Sequence, residues 1–311
     1  MKKRLLLFFT GILIFCVQSK AQTELGTTSH WYNRANYNPA SIARPGYIYF
    51  FSNYRKQWSG IDGAPTVYNL QASGFSEKQN SAFGISMVRD EIGLTTAINP
   101  TFQYAYRVGI KENLDLSLGL AAGFYSRRLN ASAYDPEVVD DPALDYTDQR
   151  FASPDANFGL ELEGKHFIAG LSSSHLFALW NHDDEYLITN HQYVYALYKN
   201  TDSELYNLTA GIQLSRRNNV TIFEGSGIIR IKMPTGLQKG PRELLDLGLT
   251  YRSTNQLTLL TGLNITRNFR IGYTYDFNFG IELNGNSTHE IVLEYRIPLK
   301  LTRYTNYIWY N

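Results

Sequence analysis

The stretch Leu114-Asp115-Leu116-Ser117-Leu118-Gly119-Leu120-Ala121 puts leucine at every even position and a small or acidic residue at every odd one. A period of two belongs to a strand whose faces meet different surroundings. The alternation recurs over 98–108, with Ile98, Phe102, Tyr104, Tyr106 and Val108 on one face and Asn99, Thr101, Gln103 and Arg107 on the other. It returns over 245–252 and 269–277. These runs are about 8 to 11 residues long, near the 9 to 11 with which a tilted strand crosses a bilayer. In a secreted β-sandwich the apolar face would have to meet a second sheet. A closed barrel gives the apolar face lipid and the polar face a lumen, and closure leaves no unpaired backbone edge in hydrocarbon.

Working outward, the pattern predicts about fourteen strands, a number in the range of such barrels. They are 47–57, 66–74, 82–89, 95–108, 114–124, 157–163, 166–173, 192–198, 205–214, 219–231, 244–252, 257–264, 269–278 and 288–298. Gly225-Ser226-Gly227 interrupts the tenth. With both termini periplasmic, the links 125–156 and 174–191 fall outside, whereas 109–113, 164–165 and 265–268 are periplasmic turns. The link 232–243 is long for such a turn. The expectation is an all-β, single-domain, outer-membrane barrel of antiparallel strands.

The N-terminus indicates how the chain reaches a membrane. Lys2-Lys3-Arg4, the apolar run 5–17 and Ser19-Lys20-Ala21 make a secretory signal peptide over 1–21, too short to span as a helix. Phe15 before Cys16 argues against a lipoprotein site, and cleavage after Ala21 removes the only cysteine. The remaining domain, 22–311, carries 25 basic residues against 28 acidic ones, with no basic run, so nucleic acid is excluded as a partner. Aromatics still reach 14%, including 23 tyrosines.

Three clusters invite chemistry. Asp135, Glu137, Asp140, Asp141, Asp145 and Asp148 could offer oxygens to calcium, but the order of a dedicated calcium loop is missing, and a solvated acidic loop is the expectation. His175, His182, Asp183, Asp184, Glu185 and His191 match no familiar metal spacing. Ser172-Ser173-Ser174-His175 lacks a nucleophile elbow. No catalytic residue, metal or cofactor is expected. On the alternation, Arg107, Asp115, Glu161, Glu163, Asp246, Arg252, Arg270, Asp276, Glu290, Glu294 and Arg296 face the lumen. Their mixed signs suggest a paired network, or else a conduit or the seat of a plug.

Asn36-Tyr37-Asn38-Pro39-Ala40, followed by Arg55-Lys56-Gln57-Trp58-Ser59-Gly60-Ile61-Asp62-Gly63-Ala64-Pro65, resembles the N-terminal signature of the PorP/SprF family. These are outer-membrane barrels of the type IX secretion system of Bacteroidetes, with the pattern N-P-A, then R-x-Q-W-x-G-x-x-G-A-P. Near the C-terminus, Ile271-Gly272-Tyr273-Thr274-Tyr275-Asp276 resembles the family strand I-G-Y-S-Y-D. Ser287-Thr288-His289-Glu290-Ile291-Val292-Leu293 resembles G-S-H-E-I-x-L, with Thr288 in place of serine. The tail 299–311 runs past the last strand and lacks a terminal Phe.

The resemblance implies a non-enzymatic component that assists export or surface attachment of cargo such as gliding adhesins. The implied partners are outer-membrane lipid and the secretion machinery or a cognate surface protein, with no small-molecule substrate. A stand-alone channel for a small or hydrophobic substrate is the alternative. The residues themselves make 55–65 an external hairpin connection, with Gly60 and Gly63 free in backbone angle, Pro65 closing it and Trp58 at the hydrocarbon edge. Shaping a turn and contacting a partner both stay open for it.

Overall fold

The computed structural model describes residues 27–28, 31–134, 146–180, 188–217, 220–233, 242–279 and 287–300. Among these, fourteen antiparallel strands form one closed barrel in which β1 also pairs with β14. In chain order they are β1 Tyr47–Lys56, β2 Thr66–Ser76, β3 Ser81–Ile92, β4 Thr95–Lys111, β5 Leu114–Leu129, β6 Gln149–Gly164 and β7 Phe167–Ser174. The second half is β8 His191–Asn200, β9 Tyr206–Arg217, β10 Val220–Met233, β11 Arg242–Arg252, β12 Gln256–Asn264, β13 Phe269–Asn278 and β14 Thr288–Pro298. Every strand finds two neighbours, so the ladder has no open edge.

The faces fall as the alternation requires. Leu118 is 40% exposed on the outside while Ser117 beside it is 4% exposed inside. Across the β5–β6 ladder the register keeps like with like, Leu118 opposite Leu160 and Ser117 opposite Glu161. Large apolar side chains therefore cover the outer wall and polar ones line the inner wall, the reverse of a water-soluble domain.

Two expectations need correction. Much of 125–156, read as a connection, is strand: β5 and β6 stay paired from Leu114↔Gly164 up to Leu129↔Gln149. Backbone pairing outlasts the lipid-facing hydrophobic pattern there, since Arg128 and Arg150 point outward opposite one another. Likewise, Gly225-Ser226-Gly227 does not break β10, because both neighbours supply ladder partners across it. The irregularity in that strand lies at Ile231/Lys232 instead. The signal peptide, the residues 135–145 and 182–185 of the acidic and histidine clusters, and the tail beyond 300 lie outside the described residues.

Candidate functional site: a filled lumen and its clamp

The lumen is occupied by the chain's own N-terminal segment. Residues 31–46 run inside the barrel through two 3-10 turns, Arg34–Asn36 and Pro39–Ile42. Each turn starts on an asparagine cap: Asn33 accepts from the Ala35 amide at 3.2 Å and Asn38 from the Ala40 amide at 2.9 Å. Pro39 fits the first position of its turn, where an amide hydrogen would have no partner. The Asn38 amide also donates to the Leu160 carbonyl at 2.9 Å and the Tyr195 hydroxyl at 2.7 Å. The Asn-Pro-Ala motif is thus a capped turn seated on β5 and β6.

Glycine makes that seat. A Cβ on Gly119 would lie 2.1 Å from the Ala40 nitrogen, and one on Gly159 would lie 1.9 Å from Asn38 Oδ1. Both face the lumen, Gly119 at a position the alternation had read only as small. Their lack of a side chain admits the backbone of the turn at Gly119 and the Asn38 side chain at Gly159.

Aromatics fill the middle of the lumen. Trp31, Tyr32 and Tyr37 are buried among inward-facing Tyr49, Phe51, Tyr193, Tyr195, Leu260 and Val292. The inner face is accordingly less polar than the alternation implied, because these side chains meet the segment rather than water. Each buried ring contributes on the order of 2 kcal/mol relative to exposure.

Charge holds the remainder. Arg55 Nη2 lies 2.7 Å from Asp276 Oδ2, and Nη1 lies 3.3 Å from Glu290 Oε2. Glu290 accepts from the Thr28 amide at 2.8 Å, the Thr28 hydroxyl at 2.6 Å and Asn53 Nδ2 at 2.9 Å. Arg55, Asp276 and Glu290 come from motifs at opposite ends of the sequence, and they close on one threonine of the inner segment. Further along, Trp31 Nε1 donates to Glu224 at 2.6 Å, and Arg252 lies 2.7 Å from the same carboxylate. Arg34 binds Glu161 through Nε at 2.8 Å and Nη2 at 3.2 Å. Arg270, over the Tyr32 ring, reaches Asp246, Glu243 and Glu294 at 3.2 to 3.4 Å. Near the other end, Arg107 joins Asp115, Glu163 and the Ala43 carbonyl.

The other motif residues divide between the outer wall and one connection. Gly272 faces inward against the Tyr32 ring, whereas Tyr273, Tyr275 and His289 face out, with Tyr273 Oη 2.6 Å from His289 Nδ1. Gln57, Trp58, Gly60, Gly63 and Pro65 lie between β1 and β2. That connection is stitched to both neighbours: Ser59 donates to the Ser287 carbonyl at 2.8 Å, and Gly93 donates to the Gly63 carbonyl at 2.9 Å. Gly63 has φ +68°, and Trp58 holds φ 50°, a left-handed angle that costs a bulky residue energy.

Of the histidine cluster, His175 and His191 are buried rather than solvated. The His175 ring sits 2.9 Å from Asp155, and the two imidazoles are 5.3 Å apart. Among the described residues no group of three or more His, Cys, Asp or Glu is arranged to hold a metal.

Residues 19–295 match the family described as "Type IX secretion system membrane protein PorP/SprF". The chain belongs to this family. No curated protein matches it. Among solved structures, this PorP/SprF protein is similar to the Ralstonia pickettii toluene transporter TbuX, at TM-score 0.52 and 11% identity, over 91% of this chain and 96% of that one. It is also similar to the CymD monoaromatic hydrocarbon channel, at TM-score 0.48 and 11% identity over 88% and 92%. The Acinetobacter baumannii outer membrane protein Omp33 aligns at TM-score 0.46 and 8% identity over 81% and 97%. At 11% identity the likeness to TbuX is one of fold, an outer-membrane-type barrel.

Proposed function

We propose that this PorP/SprF protein is a non-enzymatic outer-membrane component of type IX secretion that assists export or surface attachment of a specific cargo, such as a gliding adhesin. The chain would be exported on its signal peptide, 1–21, and inserted as the barrel 22–311. Its partners would be lipid and the secretion machinery or a cognate surface protein, with no cofactor, nucleic acid or small-molecule substrate. The observation that carries the reading is the filled lumen: residues 31–46 occupy the space a solute would cross. Such a barrel offers surfaces rather than a conduit. The stitched connection carrying Trp58 is the surface we assign to the partner.

Deletion of the gene should abolish surface display of one cargo while others persist, and the purified barrel should carry no steady current in a planar bilayer. Sustained conductance would favour the channel instead. Trp58→Ala separates contact from scaffold: loss of an aromatic at an interface centre costs about 2 kcal/mol, roughly thirty-fold in affinity. Cargo display should fall while the amount of heat-modifiable barrel holds. Gly63→Val should lower the barrel itself, because of the positive φ and the Gly93 Cα 3.2 Å from the added Cβ. If Trp58→Ala reduces barrel and cargo in parallel, the connection is scaffold alone.

A further inference from the structure

The outer wall has a hollow that the alternation does not explain. On the outward face of β1, β2, β4 and β5, the small or flat residues Ser52, Ala72, Pro100 and Ala122 occupy positions where neighbouring strands carry Phe50, Leu70, Ile85, Met87, Phe102 and Phe124. Cross-strand pairing sets small against large, with Ala72 opposite both Phe50 and Ile85, and Ala122 opposite Phe102. A dip bounded by large apolar side chains results, with a volume of about 750 Å³.

The backbone deepens it. Pro100 has no amide hydrogen to donate to β5, and the Asn99 side chain donates to the Phe124 carbonyl at 2.9 Å. Gly123 faces the lumen there, and a Cβ on it would lie 2.0 Å from the Pro100 carbonyl oxygen. β4 is thus pressed inward at Pro100, into room that only glycine leaves.

Polar groups stand along one edge of the hollow, toward the end with the connections 57–65 and 130–148. Arg89 follows Met87 by two residues, or ~7 Å of strand, and Lys56 follows Ser52 by four, or ~13 Å. Both point outward and are exposed. Lys56 lies opposite His289, whose ring meets Tyr273 and Tyr275 on the same outer face. Arg89 contacts Glu91, and Lys56 forms no ion pair among the described residues. An apolar hollow with exposed cations one to two residue pairs along the wall is the complement of an acyl chain beneath an anionic head.

We infer that this face binds one phosphate-bearing anionic membrane lipid, with its acyl chains in the hollow over Ala72, Pro100 and Ala122 and its headgroup between Lys56 and Arg89, two strands apart on β1 and β3. Apolar contact with any lipid is expected of the whole outer wall. A fixed lipid requires both the hollow and the cations.

The test is native mass spectrometry of the full-length barrel in nonionic detergent, after exchange with phosphatidylglycerol or phosphatidylcholine. The expected result is one phosphatidylglycerol retained per barrel through washes that strip phosphatidylcholine. Lys56→Gln with Arg89→Gln should lower retention at least tenfold. Ala72→Trp and, separately, Ala122→Phe should abolish it by filling the hollow from different strands, with heat-modifiable mobility confirming that each barrel is folded. Equal retention of the two lipids overturns the inference, as does full retention in a folded hollow-filling variant. Self-association of lipid-free wild-type barrels that Ala72→Trp prevents would also overturn it, assigning the hollow to a second copy.

Discussion

Two parts of the inner segment are held by different physics. Toward β5 and β6, the Pro39 turn seats its backbone on Gly119 and its Asn38 side chain on Gly159, beside the Arg34–Glu161 pair. Toward β10 to β14, Thr28, Trp31 and Tyr32 are held by a network of carboxylates and guanidinium groups: Glu224, Asp246, Arg252, Arg270, Asp276 and Glu290. Contact by shape fails at one added carbon, because neither backbone can swing aside. Contact by charge has several partners for each group and degrades by degrees. The glycine seat at Gly119 therefore tolerates substitution far less than the charged contacts do.

The sharpest way to break that contrast is to place the same methyl on each side. In Gly119→Ala the new carbon would sit 2.1 Å from the Ala40 nitrogen and 2.4 Å from the Pro39 carbonyl carbon. The turn must leave its seat, a loss above about 4 kcal/mol, the range reached only by severe core lesions. In Gly272→Ala the nearest atoms are a Tyr32 ring carbon at 3.2 Å and Val292 Cβ at 3.3 Å, and a tilt of the ring relieves much of the contact. Limited proteolysis of residues 31–46 in purified barrels should show release in the first variant and near wild-type protection in the second. Equal protection would remove the distinction between the two sides.

On the charged side the largest single loss should come from Glu290. Glu290→Ala strips the acceptor from Thr28, Asn53 and Arg55 together and leaves a buried guanidinium with Asp276 as its one carboxylate among the described residues. Removing one member of a buried pair costs about 3 to 5 kcal/mol. Glu290→Gln keeps an acceptor oxygen and should lose clearly less. Urea unfolding in detergent would rank the two, and identical midpoints would mean that the carboxylate charge contributes nothing.

Which of these features could be read beforehand depends on whether they are periodic. All fourteen strands were legible because lipid and lumen impose a two-residue rhythm that survives even Gly225-Ser226-Gly227. Arg107, Asp246, Arg270, Asp276, Glu290 and Glu294 were placed inward by the same rhythm. The filling of the lumen was not legible, since 31–46 folds into turns too short for any period. Arg55 fell both in the strand 47–57 and in the motif read as a connection; it lies in β1, pointing inward. Gly119 and Gly159 looked like any small residue on a polar face until the turn they admit was in place. Glu224 and Arg230 alternate within β10 and could have been found, had its glycines not discounted that strand.

Inside and outside also differ within a single strand. Leu118→Arg puts a charge on the lipid face, costing roughly 2–4 kcal/mol near the midplane. Ser117→Arg points into a lumen that an empty pore would leave open but which is filled here, with Ser117 only 4% exposed. Overpacking of that kind costs about 1–3 kcal/mol, so the lumen variant should be damaged nearly as much. The yield of heat-modifiable barrel measures both. A harmless Ser117→Arg would indicate room beside Gly119 and weaken the case for a tightly seated turn.

The smallest effect should come from charge outside the wall, where water competes. Asp148, just before β6, accepts from the Ser132 amide at 3.1 Å and pairs with Arg128 at 3.0 Å. The Ser132 amide first, and then Arg128, holds its carboxyl below the ordinary value of 3.8. A depressed folded pKa means that the contribution is fully present above the ordinary value and disappears as the pH falls through the lower one. Acidification below about pH 4 should therefore loosen the tie between the ends of β5 and β6 while the barrel persists. Asp148→Asn should show the loosened state already at pH 7 and little further change on acidification. Carboxyl chemical shifts in micelles would follow the titration, and proteolysis between β5 and β6 would follow the loosening. Retained protection in Asp148→Asn would assign the tie to the β5–β6 backbone ladder, and an acid-induced opening of the inner segment in the same pH range would move the effect to the buried carboxylates of the charged side.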